Sequence, residues 1–295
     1  MIDLRYHVYS LAAVFFALAI GIVIGSSFVG KPADKQQMLR IAEGYERDMV
    51  ALRTEMRKQQ DNLRAARGDF DRGERMCAAL IPVALKDKLL YHNVAIIQTG
   101  DYDELAADLR ALLQSVGARV TSVTKISPSF DFEDPALVSG ALSAAGVDSK
   151  QEESDRAAIL RVIAEAIVGA KHIEKLSPLE EKNVVNLSGD YTRWNRDIVI
   201  IGGSSSEDSP RAELVDVPLA DRLVGLGANV VGCEPVSARS SYVPAWKRTA
   251  IATVDNADRS YGQVALICAL AGETAHFGQK RTADRLIPQT LGGGE

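Results

Sequence analysis

The sequence is poor in cysteine, lacks an excess of either charge, and shows none of the common catalytic signatures; each shortage excludes something. Three cysteines in 295 residues exclude a disulfide-rich scaffold. Lys and Arg number 34 against 39 Asp and Glu, a net charge of −5. The basic excess of a nucleic-acid binder is missing, so no nucleic-acid partner is expected. Charged residues at 25% and hydrophobics at 46% exclude wholesale disorder. There is no second long apolar run, which excludes a polytopic membrane protein. No G-x-S-x-G elbow and no P-loop occur. His7, His92, His172 and His276 stand far apart without H-x-x-x-H spacing, and no C-x-x-C accompanies them. No metal site is legible at this level, and the expectation is a non-enzyme.

The mean hydropathy of −0.03 hides an uneven distribution. From Val8 to Val29 the chain runs for 22 residues without a charge. A helix of that length spans about 33 Å, enough for a hydrocarbon core of about 30 Å. Ala17-Leu18-Ala19 could mimic a signal-peptide cleavage site, but the apolar run continues past it to Ile24. A signal peptide needs only about 7–15 apolar residues, so residues 1–30 are read as an uncleaved membrane anchor. No cysteine precedes Cys77, which argues against a lipid attached near the start. Basic residues flank the run on both sides, and the positive-inside rule does not choose between them. The short head before the run favours a single-pass signal anchor, with the bulk of the chain outside the cytoplasm. Ala13, Ala17, Gly21 and Gly25 recur four apart. Such a small-residue ladder lets two helices approach closely and is a candidate helix-association face.

Residues 34–80 carry a heptad seam: Met38, Ala42, Tyr45, Met49, Leu52, Met56, Gln59, Leu63, Ala66, Phe70, Gly73, Cys77 and Leu80. Spacings of four and three alternate without a break, which predicts a left-handed coiled coil and a homodimer or higher oligomer. Asp48 and Arg53 fit an ion pair between parallel strands, whereas Asp69 and Glu74 do not; the far end is the weaker part. The seam methionines are explained by packing, although thioethers are also soft ligands for Cu(I). Pro82 is expected to end the helix.

Residues 90–288 read as an α/β domain. Val94–Gln98, Arg119–Val123, Asp197–Ile201, Asn229–Gly232 and Thr249–Val254 read as five strands, separated by amphipathic helices. That alternation predicts a doubly wound, mostly parallel, three-layer sheet domain. Ser177-Pro178-Leu179-Glu180 has the form of a capping box. Residues 127–151 read as a loop-rich insertion, and 289–295 as a flexible tail. Ligands of such sheets sit beyond the carboxyl ends of the strands, which directs attention to two turns. The first is Gly202–Ser206, where Ser204 and Ser205 could cradle a phosphate. The second is Asp255–Asp258, where Asp255, Asn256 and Asp258 could hold a ligand or serve the turn and the next helix start. A plain polar loop and a capping role are the stronger readings of the two. Cys233 and Cys268 read as small buried hydrophobes, and Cys77 falls on the seam.

Both termini carry a family likeness. Met1-Ile2-Asp3-Leu4-Arg5-Tyr6-His7-Val8, followed by Ser10-Leu11 and the run from Ala13 to Ser26, resembles the start of the bacterial copper transporter MctB family. Ser241-Tyr242-Val243-Pro244, Ala252–Asn256, Tyr261–Leu266, His276-Phe277-Gly278 and Thr282–Pro288 resemble its end. The resemblance implies a role in copper ion transport or homeostasis, with copper as the ion handled. Related proteins of this build are also connected with envelope assembly and cell separation, which implies an envelope protein as a partner.

Overall fold

A computed structural model describes residues 4–28, 32–147, 153–207 and 209–290. The chain divides into two compact units, Met1–Asp71 and Arg72–Glu295.

Helix α1, Leu4–Phe28, holds the apolar run as far as Phe28, and Val29 lies outside the described residues; Tyr6–Ser27 has the length and composition to cross a membrane. Its serine hydroxyls bond within the helix: Ser10 donates to the His7 carbonyl, and Ser26 and Ser27 both donate to the Val23 carbonyl. No polar group there has to be left bare in hydrocarbon on account of a serine. Helix α2 runs from Pro32 to Ala84. Met38, Tyr45, Met49, Leu52, Met56 and Leu63 are each at least half exposed along it. Pro82 does not end this helix, which continues two residues further. A proline so near the carboxyl end removes one backbone hydrogen bond where few remain to be lost.

The second unit is built on β1 (Asn93–Gln98), α3 (Asp103–Ser115), β2 (Arg119–Ile126), α4 (Pro135–Ala144), α5 (Asp155–Gly169), α6 (Leu176–Glu181), β3 (Val185–Gly189), β4 (Asp197–Ile201), α7 (Val217–Gly225), β5 (Asn229–Cys233), α8 (Val243–Trp246), β6 (Ala252–Val254), α9 (Ser260–Leu270) and β7 (His276–Phe277). The seven strands form one sheet in the order β3-β2-β1-β4-β5-β6-β7. All pairs are parallel except β2 with β3. Strand side chains alternate between faces, and both faces are apolar. Ala95, Ile97, Ile198, Ile200 and Val230 join one core with α4, α5, α7 and α8. Val94, Ile96, Val199, Ile201 and Val231 join another with α3, α9 and Ile81, Leu85 and Leu89.

Five expected strands became seven. The additions are the antiparallel edge strand β3, mostly exposed and polar, and the two-residue β7. Neither has the apolar run that announces a buried strand. The segment expected to be loop-rich holds α4, capped by Asp134, whose carboxylate accepts from Ala136 N and Leu137 N. Phe130 and Phe132 are buried there, edge to face at 4.9 Å. Residues 148–151 of that segment lie outside the described residues, as do 291–295 of the expected tail. Gln289 and Thr290 are tied to the Glu273 carboxylate. The capping box at Ser177 does not form, because a 3-10 turn, Ile173–Lys175, runs straight into α6 and leaves Ser177 inside it. Glu180 accepts instead from the Leu187 backbone N–H in β3.

Two long-range devices set the ends of the elements. Glu74, from the last turns of α2, accepts from the Ser260 N–H and hydroxyl, placing a carboxylate at the amino end of α9 where the helix has no side-chain cap of its own. Trp246 is fully buried and lies across glycines of two strands' ends, Gly202 and Gly232. A Cβ on Gly232 would stand 2.7 Å from the Trp246 ring. Gly232→Ala is therefore expected to destabilise the fold by about 1–3 kcal/mol. Urea titration of the detergent-solubilised full chain, followed by tryptophan fluorescence, measures this; an unchanged midpoint contradicts the packing.

Candidate functional site

The chain leaves β1 for β2 on one side and enters β4 on the other, so strand order reverses between β1 and β4. Loops leaving the carboxyl ends of such strands diverge and open a crevice. A cavity of about 390 Å³ lies there, bounded by Thr99 and Asp101 after β1, Ser129–Glu133 after β2, Ser204 and Ser206 after β4, and Arg211 and Tyr242.

Arg211 stands at the head of a π-helical turn, Ala212–Asp216, that leads into α7. Its Nε donates to the Thr99 carbonyl at 3.0 Å, and Nη2 donates to the Ile126 and Ser127 carbonyls at 3.1 and 3.0 Å. One guanidinium thus braces the ends of β1 and β2. Nη1 makes only a long contact, 3.5 Å, to the Pro128 carbonyl. Burial lowers the Arg211 pKa, and Asp216, Tyr242 and Asp101 oppose that effect. A guanidinium stays charged under any such shift in water.

Asp216, five residues on, is completely buried. Its Oδ1 accepts from the Thr99 hydroxyl at 2.7 Å. Burial pushes its carboxyl up to about 7, against the opposing pull of the Thr99 hydroxyl, Arg211 and the Trp246 indole. Tyr242 pairs its hydroxyl with that of Ser209 at 2.9 Å. Burial pushes its phenol up to about 12.

Ser204 lines the crevice and Ser205 follows it in the turn, and the acceptor they hold is internal. Asp101 Oδ2 accepts from the Ser205 and Ser204 hydroxyls at 2.7 and 3.2 Å, and Oδ1 from the Ser205 N–H at 3.0 Å. Partial burial works against Asp101 ionisation, but these bonds outweigh it and hold the carboxyl below its usual range. The turn that could have cradled a phosphate is already occupied by a carboxylate of the same chain.

Asp255, Asn256 and Asp258 form a separate group at the end of β6. Asp255 is fully buried and accepts from the Gln279 and Lys280 N–H groups at 2.9 and 2.8 Å. Gly278 makes this possible: at φ +152 it passes so close to Asp255 that a Cβ would stand 2.0 Å from the carboxyl carbon. Asp258 accepts from Val236 N–H at 2.7 Å. Asn256 is buried, with the backbone of Gly262 pressed against its carbonyl. Beside them, buried Glu234 accepts from Ser241 Oγ at 2.6 Å and Tyr242 N at 2.8 Å and pairs with Lys280. These carboxylates stitch loops together. No hydrogen bond links this group to the Gly202–Ser206 turn among the described residues. The same residues contain no group of three or more His, Cys, Asp or Glu placed to hold a metal ion. Ala13, Ala17, Gly21 and Gly25 all fall within α1, with open space around both glycines.

Asp216 gives the site a pH signature. Its folded pKa lies above the unfolded value near 4, so its stabilising contribution is complete below about pH 4 and is lost as pH rises through about 7. A shift of that size is worth on the order of a few kcal/mol. Asp216→Asn keeps the acceptor for Thr99 and removes the titration. The variant's melting temperature, measured from pH 4.5 to 8, is expected to decline less than the parent's; parallel curves would contradict the burial of an ionisable carboxyl.

A family model described as "Copper transport outer membrane protein, MctB" matches residues 1–288. A protein named copper transporter MctB from Mycobacterium bovis (strain ATCC BAA-935 / AF2122/97) is 26% identical over 311 aligned residues, covering 94% of this chain and 96% of its own. Proteins of the same name from Mycobacterium tuberculosis strains CDC 1551 / Oshkosh and ATCC 25618 / H37Rv match to the same extent. The likeness runs through the apolar helix, the long helix and the sheet alike, and the chain belongs to the MctB family of copper transport outer membrane proteins.

Proposed function

We propose that this protein acts in copper ion transport or homeostasis from the cell envelope. The observation that carries the reading is the family match across residues 1–288, supported by relatives that are named copper transporters and align along 94% of the chain. Residues 1–30 serve as a single-pass anchor, and the bulk of the chain lies outside the cytoplasm. The absence of any charge from Tyr6 to Ser27 supports the anchor. Ala13, Ala17, Gly21 and Gly25 are the face through which two such helices associate.

Residues 34–80 form a parallel coiled coil with a second copy. Its support is the row of exposed apolar residues, Met38, Tyr45, Met49, Leu52, Met56 and Leu63, at heptad spacing on α2. Residues 90–288 form a doubly wound, three-layer domain without catalytic activity, and the cores on both sheet faces support that architecture. A scaffold for envelope assembly or cell separation, recruiting another envelope protein, is the competing reading; the same exposed seam favours it.

Two measurements decide. A strain lacking the gene is expected to lose copper tolerance and regain it with the full-length chain, with cell separation unchanged; normal tolerance with septation defects would select the scaffold. Sedimentation of the detergent-solubilised full chain is expected to give a dimer or larger species, and Met49→Lys with Met56→Lys to shift it toward monomer at micromolar concentration. A monomeric parent chain contradicts the coil.

A further inference from the structure

The crevice at the β1/β4 reversal carries charged groups that a soft metal ion does not favour. Arg211 has five N–H groups, of which Nε and both on Nη2 are taken by backbone carbonyls. Nη1 has one long contact and an N–H to spare. Among the described residues no carboxylate lies within ion-pair distance of this guanidinium. A fixed positive charge, braced on two strand ends, thus meets the cavity with donor capacity left. The same lining is also acidic: Asp131 and Glu133, both exposed, line the cavity. Asp131 Oδ1 accepts from the Glu133 N–H at 2.8 Å, which ties the two residues together, and both side chains are exposed. Asp101 adds a third negative charge. The lining contains no Cys, Met or His, so it offers nothing to a soft metal ion.

One positive post and exposed acids lining one cavity of about 390 Å³ select ligands by charge pattern. A phosphate or dicarboxylate meets three acids for one base. A simple amine leaves Arg211 unpaired, and a simple acid faces the rim. We infer that the crevice binds a small zwitterion of the amino-acid or dipeptide class, its carboxylate on Arg211 Nη1 and its ammonium toward Asp131 and Glu133. The volume lies at the small end of the range for ligand pockets, which suits one or two residues rather than a nucleotide or a long peptide. Charge-assisted bonds at both ends make recognition of the pair stronger than of either end alone.

Calorimetric titration of the detergent-solubilised full chain tests this. The probes are L-alanine, L-lysine, L-glutamate and L-alanyl-L-alanine, with ethylamine and propionate as one-ended controls, and inorganic phosphate and a copper salt alongside. Saturable binding of at least one zwitterion is expected, with neither control binding. Asp131→Asn with Glu133→Gln is expected to weaken it at least tenfold; these side chains sit on the rim, and asparagine keeps the acceptor that Glu133 N–H needs. Arg211→Lys is expected to weaken it as well, by losing the fork. Binding of propionate or phosphate as tight as that of the zwitterions overturns the inference, as does equal affinity in the rim variant, or no binding by any amphoteric probe. A copper response without a zwitterion response also overturns it, while leaving the copper reading standing.

Discussion

The sheet domain depends on how one guanidinium satisfies three backbone carbonyls at the point where the strand order turns back on itself. Where β1 and β4 part, the loops after β1 and β2 lose their ladder partners, and buried carbonyls without partners are costly. Arg211 supplies the missing donors to Thr99, Ile126 and Ser127. The brace works only if the arginine is delivered at the right height, and the π-helical turn Ala212–Asp216 does that before α7 begins. The same turn places Asp216 beneath the crevice, bonded to Thr99, the residue whose carbonyl Arg211 already holds. A wide helical turn close to a functional opening is a common association, and here its geometric use is visible.

The two edges of the sheet are treated differently. At the amino ends of the strands, Asp197 accepts from Asn229 and pairs with His92 at 2.8 Å, and Asn229 donates to the Leu270 carbonyl. Nearby, buried Asn195 joins Thr121 of β2 to the Ile167 carbonyl of α5. Each of these side chains has an internal partner. At the carboxyl ends, Glu234 and Asp255 close the β5–β6 side in the same way, through Lys280 and the loop that follows Gly278. At β1 and β4 a guanidinium at the crevice keeps donor capacity on Arg211 Nη1.

Much of this was legible in the residues. The charge-free run and the heptad spacing need only periodicity to be seen, and DIVII at Asp197–Ile201 announces a strand buried on both faces. Short or polar elements were not legible: β3 has a single fully buried residue, and β7 has two residues held by register with β6. The capping box at Ser177 is a local signal overridden by the turn before it, since Glu180 gains more by bonding the edge strand β3. Of the candidate site, Ser204 and Ser205 were found because glycine- and serine-rich turns stand out in sequence. Asp101 was hidden because it meets them only across more than one hundred residues. Arg211 and Asp216, in a stretch bracketed by Pro210 and Pro218, look like the charged face of an ordinary helix start until the sheet closes over them.

The donor chemistry separates copper from the crevice. Cu(I) favours thiolates and thioethers. Burial raises the thiol pKa of both Cys233 and Cys268, which keeps them protonated and poor as ligands. The exposed methionines Met38, Met49, Met56 and Met76 all belong to α2, and none lines the crevice. What the sheet domain offers at its open rim is a guanidinium, hydroxyls and carboxylates, a set suited to organic ions and ill suited to a soft metal.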